Sequence, residues 1–298
     1  MEIPVVSEAN LSAYSPFWLI AVFYLFSGIW EVGHLFKPEG FRKQWVDLLP
    51  FTAFILHSLF VIYLAYRVQN IPVTNLFESV VFLTWCVVAV FNGVEYLYGV
   101  PSLGAFLFPL VTVLSFWVLS LGNNVFNAPH NLSKFWLIAH TIPLFMGYAA
   151  FAITFTLSLM YLTQQRQLKH KLFGPLLLGL PSLESLDRLI WKTLSFGFPL
   201  LTLGLVFGAF WVKHSNMLGP QWYLDPKVVM GTVTWLVYAG LLHLRIGVAM
   251  HGSRAALLNI AGFSLVLFTF LGTFFIGAQH GYKKVSKEEP VIIKRIAE

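Results

Sequence analysis

Long unbroken blocks of apolar residues run through most of this chain. Eight blocks can be drawn, and their lengths are close to the ~20 residues with which a helix crosses the ~30 Å hydrocarbon layer of a bilayer. They lie at 16–36, 48–66, 76–98, 102–121, 135–162, 196–213, 228–249 and 255–277. This pattern predicts an all-α fold, a polytopic membrane bundle of about eight transmembrane helices.

The composition excludes a soluble enzyme. Only 11% of the residues are charged, whereas soluble domains carry about 25%. The longest connection, 163–195, is too short for a separate domain, so residues 1–298 are predicted to form a single membrane domain. The first block lacks a basic start and is interpreted as a span rather than a cleaved signal. The lone cysteine, Cys86, allows no internal disulfide.

One connecting segment, 181–195, has an amphipathic pattern that the spans lack. Its apolar residues recur at helical spacing and its charged residues fill the opposite face. The apolar set is Leu183, Leu186, Leu189, Ile190 and Leu194, and the charged set is Glu184, Asp187, Arg188 and Lys192. We expect an interfacial helix lying along the inner membrane surface. The alternative is a plain connector.

Basic residues indicate the orientation, because they favour cytoplasmic loops. With the N-terminus outside, the inner connections hold ten lysines and arginines and the outer connections hold four. The basic C-terminal tail then falls outside and argues the other way, but tails count less than early loops. The N-terminus and the C-terminus are therefore both predicted to lie outside.

Four of the nine histidines lie in spans or at their ends. In this orientation His140 and His280 lie at the outer face, whereas His57 and His243 lie in the inner half of the membrane. Two imidazoles on opposite sides of one iron form the ligand set of a six-coordinate haem. Zinc requires three or four ligands, which neither pair supplies. Each histidine alone is also compatible with a structural role, bonded to a neighbouring helix.

The outer connection between the sixth and seventh spans, 214–235, combines aromatic residues with a turn. It contains Trp222 and Tyr223, followed by Asp225, Pro226 and Lys227. The aromatic residues are also typical of an interfacial belt. Asp225 could equally be an ordinary helix cap, since aspartate favours that position.

Several stretches of the sequence resemble one family of membrane proteins. They match, in the same order, segments of the cytochrome c assembly family, the CcsA-type haem-handling proteins of the tryptophan-rich (WWD) group. The resemblance covers roughly residues 50–282. Its main stretches are Asn75–Trp85, Ser133–Ala152, Leu183–Trp211, Trp222–Arg245 and Gly262–Tyr282.

The outer loop departs from the family pattern. It keeps Gly219, Trp222, Asp225, Pro226 and Lys227. Leu218, Leu224 and Met230 stand where the family has tryptophans, Gln221 where it has a tyrosine and Val228 where it has a glutamate. This loss of aromatic residues favours the shorter, eight-span HemX-like branch. The resemblance to that branch also includes a histidine in the second span, here His57.

The resemblance implies a haem-binding protein of c-type cytochrome biogenesis that presents haem b, held non-covalently, at the outer face. It implies that His140 and His280 are axial iron ligands, with His57 and His243 as an inner pair. Trp222 would pack on the porphyrin, and Asp225 would shape the loop or meet the propionates. No catalytic residue is assigned, and the chain is at most a component of a cytochrome c haem lyase (synthase) complex.

Partners and localisation follow from the same resemblance. Haem, apocytochrome c and a second membrane assembly subunit with an external domain are the expected partners, and no nucleic acid is expected. The predicted location is the bacterial cytoplasmic membrane. Two alternatives stay open: a HemX-like regulator or scaffold of haem synthesis, and a small-molecule transporter. Paired broken helices would favour a transporter, and the sequence shows none.

Overall fold

Eight long helices make up most of the part of the chain that the structure describes. The computed structural model describes residues 14–36, 48–73, 75–100, 102–120, 134–172, 174–215 and 219–272, and these contain no β-strand. The helices are α1 (Pro16–Phe36), α2 (Leu48–Val68), α3 (Leu76–Tyr98), α4 (Leu103–Ser120), α5 (Lys134–Lys169), α6 (Leu183–Ser215), α7 (Pro226–Gly247) and α8 (Ser253–Leu267). A π-helical turn, Phe268–Gly272, continues α8, and a short helix, Pro175–Gly179, precedes α6.

The eight helices confirm the predicted membrane bundle, since each is long and apolar enough to cross a bilayer. Two of them are longer than predicted. The 36 residues of α5 and the 33 residues of α6 rise about 1.5 Å each, so both helices exceed the ~30 Å hydrocarbon layer. Together they form an antiparallel hairpin that extends beyond it.

Residues 183–195 of the amphipathic segment are helical, but they are the first part of α6 and not a separate helix. Leu186, Ile190 and Leu194 are buried, whereas Glu184 and Arg188 form an exposed ion pair at 3.9 Å. The predicted division into two faces is therefore present. Its apolar face packs within the bundle, because the long hairpin partner α5 lies beside it.

Local sequence sets the ends of the helices. Asn75 caps α3, since its side chain accepts a hydrogen bond from the Glu78 backbone N–H at 2.8 Å. Gly99 ends α3 in the left-handed conformation, with φ of 55°, which a residue without Cβ adopts at little cost. Asp225 and Pro226 begin α7, the proline at the first helical position.

Helix α5 is the centre of the bundle. In its most apolar stretch 67% of the residues are buried, against 22% in α7. It packs against α3, α4, α6 and α8, while α1 packs against α2 and α4, and α7 packs against α6 and α8. Helices α2 and α7 therefore share no packing partner among these contacts.

Glycines allow α5 and α6 to approach closely, as small residues do in membrane helix pairs. A Cβ added at Gly147 would lie 3.0 Å from the backbone N of Leu201, and one at Gly204 would lie 2.9 Å from the backbone N of Leu144. Because the axes of α5 and α6 are close together, side chains of one helix can reach the backbone of the other.

Contacts between helix ends define two ends of the bundle. At the first, which we name the His140 end, Tyr14 meets Glu78 and His140 meets α6 near Gly204. At the second, which we name the Arg245 end, Arg245 of α7 meets Asp187 of α6. The starts of α1, α3, α5 and α7 belong to the His140 end.

Candidate functional site

The imidazole of His140 is held by the backbone of the neighbouring helix. Its Nδ1 lies 2.7 Å from the carbonyl oxygen of Gly204. A backbone carbonyl only accepts hydrogen bonds, so Nδ1 is the donor in this bond. In the neutral ring the lone pair is then on Nε2. The ring is half-buried at the His140 end. The structure thus fixes the tautomer of a histidine that the sequence singled out.

Gly208 makes room for this ring. A Cβ at position 208 would lie 2.6 Å from His140 Nδ1 and 2.7 Å from its Cε1, distances that real atoms essentially never show. The indole of Trp211, one turn further along α6, has its ring centroid 6.1 Å from that of His140. The imidazole therefore packs on the glycine surface of α6, with the indole of Trp211 nearby.

These residues fit a haem ligand. Histidines that bind metals usually donate the second ring N–H to a carbonyl or carboxylate, which orients the ring and raises the basicity of the ligating nitrogen. Neutral imidazole is also a common axial ligand of haem iron. The hydrogen bond from His140 to Gly204 reproduces this arrangement with the Nε2 lone pair as the ligating group.

The second predicted outer ligand, His280, lies outside the described residues. The last described residue is Gly272, and α8 runs toward the His140 end of the bundle. Phe270 packs against Phe145 with ring centroids 5.5 Å apart, and Phe145 follows His140 by five residues on α5. The sharing of one haem by His140 and His280 stays a prediction.

The aromatic loop ends in a helix cap. Asp225 is 7% exposed, and its Oδ1 accepts a hydrogen bond from the Lys227 backbone N–H at 2.9 Å. This is the capping role that the sequence left open. Trp222 is half-buried in a 3₁₀ turn and makes an edge contact with Tyr223, ring centroids 6.3 Å apart. The roles of Trp222 and Asp225 toward haem stay predictions.

His57 lies in a different kind of site, near the middle of α2. Its ring is fully buried, and its Nδ1 shares a hydrogen bond with the Tyr24 hydroxyl of α1 at 2.8 Å. Phe17 packs beside it, ring centroids 5.4 Å apart. Its Nε2 makes no hydrogen bond of good geometry among the described residues, although the backbone of Val81 lies near the ring. Sequence reasoning missed Tyr24, because no pattern links positions on two separate spans.

His243 is exposed on α7, four residues before the end of that helix. At about 1.5 Å per residue, it lies ~6 Å from the end of its helix, whereas His57 lies ~14 Å from the same-side end of α2. Helix α2 packs mainly against α1 and α3, and α7 against α6 and α8. The structure thus does not place this inner pair on neighbouring helices, and their pairing stays a prediction.

An ionic cluster at the Arg245 end was not foreseen. Arg245 is 7% exposed, and its Nη2 donates to the carboxylate of Asp187 at 2.6 Å and to the carbonyl of the same residue at 2.8 Å. His251 lies 3.3 Å from that carboxylate. Each residue lies near the end of a helix or in a connection, where solvated charges are common, so the sequence carries no signal for their pairing.

A polar cluster at the His140 end explains part of the third-span motif. The Tyr14 hydroxyl donates to Glu78 Oε1 at 3.3 Å and accepts from the Asn75 amide at 3.3 Å. Burial, aided by the Glu78 carboxylate, raises the pKa of Tyr14 to about 12, so its hydroxyl stays protonated and keeps donating. This cluster ties the start of α1 to the capped start of α3.

The fold and these sites define a multi-pass integral membrane protein with a buried histidine and a histidine at one end of the bundle. Comparison with known proteins identifies its family. The family described as Cytochrome C assembly protein matches residues 73–280. That range covers well over half of the chain, so the chain belongs to the cytochrome c assembly protein family.

Individual relatives agree with this assignment. A protein named cytochrome c biogenesis protein CcsA from Guillardia theta is 35% identical over 231 residues, covering 71% of this chain and 76% of the relative. A protein of the same name from a Prochlorococcus marinus strain is 29% identical, covering 94% of this chain and 93% of the relative. A third, from Heterosigma akashiwo, is 27% identical, covering 79% and 85%.

Proposed function

We propose that this protein binds haem b non-covalently at the His140 end of the bundle and presents it for attachment to apocytochrome c. The observation that carries the proposal is the hydrogen bond of His140 Nδ1 to the Gly204 carbonyl, which leaves Nε2 as the basic nitrogen. Family membership and relatives named for cytochrome c biogenesis support it.

The residues at this end have separate roles in the proposal. His140 and His280 supply the two axial nitrogens, and Trp222 covers a face of the porphyrin. Asp225 keeps the loop in place by capping α7, and Lys227 beside it meets a propionate. A bound haem supplies the vinyl groups to which cysteine thiols of the apocytochrome add, while the residues of this chain hold and orient it.

The proposal includes a location, an orientation and a partner. The His140 end faces the outside of a bacterial cytoplasmic membrane, because the opposite end carries most of the basic residues of the connections. A second membrane subunit with an external domain receives the apocytochrome. A second, inner site formed by His57 and His243 would require α2 and α7 to approach each other, because these helices do not pack together in the structure. If it forms, replacing either residue by alanine should lower haem content equally.

A regulator or scaffold of haem synthesis, as in the HemX-like branch, is the second candidate function. It is favoured by the loop, where Leu218, Leu224 and Met230 replace three tryptophans of the family pattern. A weaker aromatic platform predicts weaker haem retention. Both candidates share haem at His140, so binding alone does not separate them.

The test of the binding site is the absorption spectrum of the purified, detergent-solubilised protein. We expect the low-spin spectrum of a six-coordinate haem. His140→Ala should lower haem content several-fold, because five-coordinate haem dissociates more easily, and added imidazole should restore the low-spin spectrum. His170→Ala is the matched control, since His170 is an exposed histidine at the Arg245 end.

Two outcomes decide between the candidate functions. If the double variant His140→Ala, His280→Ala keeps the haem content and spectrum of the parent, the outer site does not exist. If the double variant loses haem, the maturation of c-type cytochromes in the same cells separates presentation from regulation. Presentation predicts that maturation falls, whereas regulation of haem synthesis predicts that it is unchanged.

A further inference from the structure

We propose that Gly204 and Gly208 form a positioning element that holds His140 in the Nδ1–H tautomer and sets the strength of its Nε2 as a ligand. The part that concerns ligand strength rests on the proposed function. The part that concerns the tautomer rests on the geometry of α5 and α6 alone.

The two glycines have different neighbours. A Cβ at Gly204 would meet the Cβ and the backbone of Leu144 at 2.9–3.0 Å, so Gly204 sets the distance between the helices. The three atoms nearest a Cβ at Gly208 all belong to the His140 side chain, at 2.6, 2.7 and 3.5 Å. Gly208 therefore makes room for the imidazole itself.

The hydrogen bond explains why this space is needed. Within α6 the carbonyl of Gly204 is the acceptor for the N–H of residue 208, four positions later. The second lone pair of a carbonyl oxygen can take another donor, but a side chain at position 208 would stand in the way. With glycine at 208, the Nδ1–H of His140 reaches that oxygen at 2.7 Å.

A fixed donor on Nδ1 has a chemical consequence at the other nitrogen. A hydrogen bond from Nδ1–H to an acceptor raises the electron density of the ring and makes Nε2 a stronger donor to a metal. Stronger donation stabilises the oxidised iron and lowers its reduction potential. The backbone of α6 thus tunes the residue that the proposed function assigns to haem.

The first measurement needs no haem. In the full-length protein we expect Gly208→Ala to lower the thermal midpoint of unfolding, because the added methyl group displaces the imidazole and breaks its hydrogen bond. In a His140→Ala background the same substitution should leave the midpoint unchanged or raise it, since alanine is the better helix former. The difference between the two backgrounds is the coupling between the residues.

Gly240→Ala is the matched control, because Gly240 lies in a spanning helix with nothing within 4 Å of an added Cβ. We expect it to have the same effect in both backgrounds. The positioning role of Gly208 is overturned if Gly208→Ala lowers the midpoint equally with and without His140, or lowers it in neither background.

The second measurement uses the haem-loaded protein. Gly208→Ala should raise the haem midpoint potential and speed the loss of haem in detergent, while Gly240→Ala should change neither. If haem retention does not depend on His140, the proposed function fails, yet the coupling can still be observed. If retention depends on His140 but the potential is unchanged in Gly208→Ala, the tuning of ligand strength is overturned and haem binding stands.

Discussion

His57 and His140, two histidines predicted as haem ligands, lie in contrasting surroundings. His57 is fully buried in the middle of α2, where it is bonded to the Tyr24 hydroxyl. His140 is half-buried at the end of the bundle, bonded to a backbone carbonyl of α6. The first belongs to the packed core, whereas the second lies at the edge of that core, between two helices.

The two hydrogen-bond partners differ in the histidine tautomers with which they are compatible. A hydroxyl both donates and accepts, so Tyr24 is compatible with either tautomer of His57. A carbonyl only accepts, so Gly204 selects one tautomer of His140. The surroundings of His140 therefore resemble those of a metal-binding histidine, as the proposed function requires, while those of His57 resemble those of a structural histidine. The two histidines differ in their hydrogen-bond partners, which their positions along the spans do not show.

The largest effect that we predict is on the free energy of unfolding, when the buried ring of His57 is removed. His57→Ala leaves a cavity and a buried Tyr24 hydroxyl without its partner, which should lower the free energy of unfolding by about 3 kcal/mol. His140→Ala removes a half-buried ring and should cost about 1 kcal/mol. Reversible unfolding in mixed detergent micelles measures both values.

Haem must be absent from this measurement, since bound ligand would stabilise only the variants that retain it. His170→Ala again serves as the control and should change stability by less than about 0.5 kcal/mol. Equal losses for His57→Ala and His140→Ala would contradict the distinction between a core histidine and a histidine at the edge of the core.

A smaller effect is expected from the partner of His57. Tyr24→Phe keeps the aromatic ring that stacks on Phe108, ring centroids 6.0 Å apart, and removes only the hydroxyl. It leaves the Nδ1 of His57 buried without this partner and should cost about 2 kcal/mol. Tyr66→Phe is the control, because Tyr66 is 76% exposed. Equal stability of the two variants would mean that the hydrogen bond does not hold His57.

Much of the fold could be predicted from the sequence, because membrane spanning imposes a length and a composition on each helix. The spans predicted at 16–36 and 76–98 coincide with α1 and α3. The sixth span was predicted to begin at 196, but α6 begins at Leu183. Hydropathy marks where a helix enters the apolar layer, whereas the amphipathic extension before residue 196 shows only as apolar residues at helical spacing, which does not tell that it is continuous with the span.

The candidate site was only partly predictable. His140 could be singled out, because an ionisable side chain in a span usually has a partner or a cavity and because its stretch resembles the family. Gly204 and Gly208 show the four-residue spacing of close membrane helix pairs, and this signal in the sequence was missed. Tyr24 and the Asp187–Arg245 pair had no signal, because their contacts join separate helices and depend on how those helices pack.

The smallest predicted effect concerns Asp225, which lies at the same end of the bundle as His140. Two substitutions at this position distinguish the effect of its cap on the loop from the effect of its charge. Its side chain caps α7 through the Lys227 backbone N–H. Asp225→Ala removes the cap and should cost about 1 kcal/mol of unfolding free energy. Asp225→Asn keeps a capping oxygen and should cost no more than a few tenths of a kcal/mol, since asparagine and aspartate cap about equally well.

Haem retention in these two variants then shows which property of Asp225 the outer site uses. If Asp225 only shapes the loop, Asp225→Asn should hold haem as well as the parent does, and Asp225→Ala should lose it faster, because an uncapped α7 frees the turn that carries Trp222. Removal of the charge alone would then have no effect in the dissociation time course. If Asp225→Asn loses haem as fast as Asp225→Ala, the carboxylate acts through its charge, and the capping account of this residue is wrong.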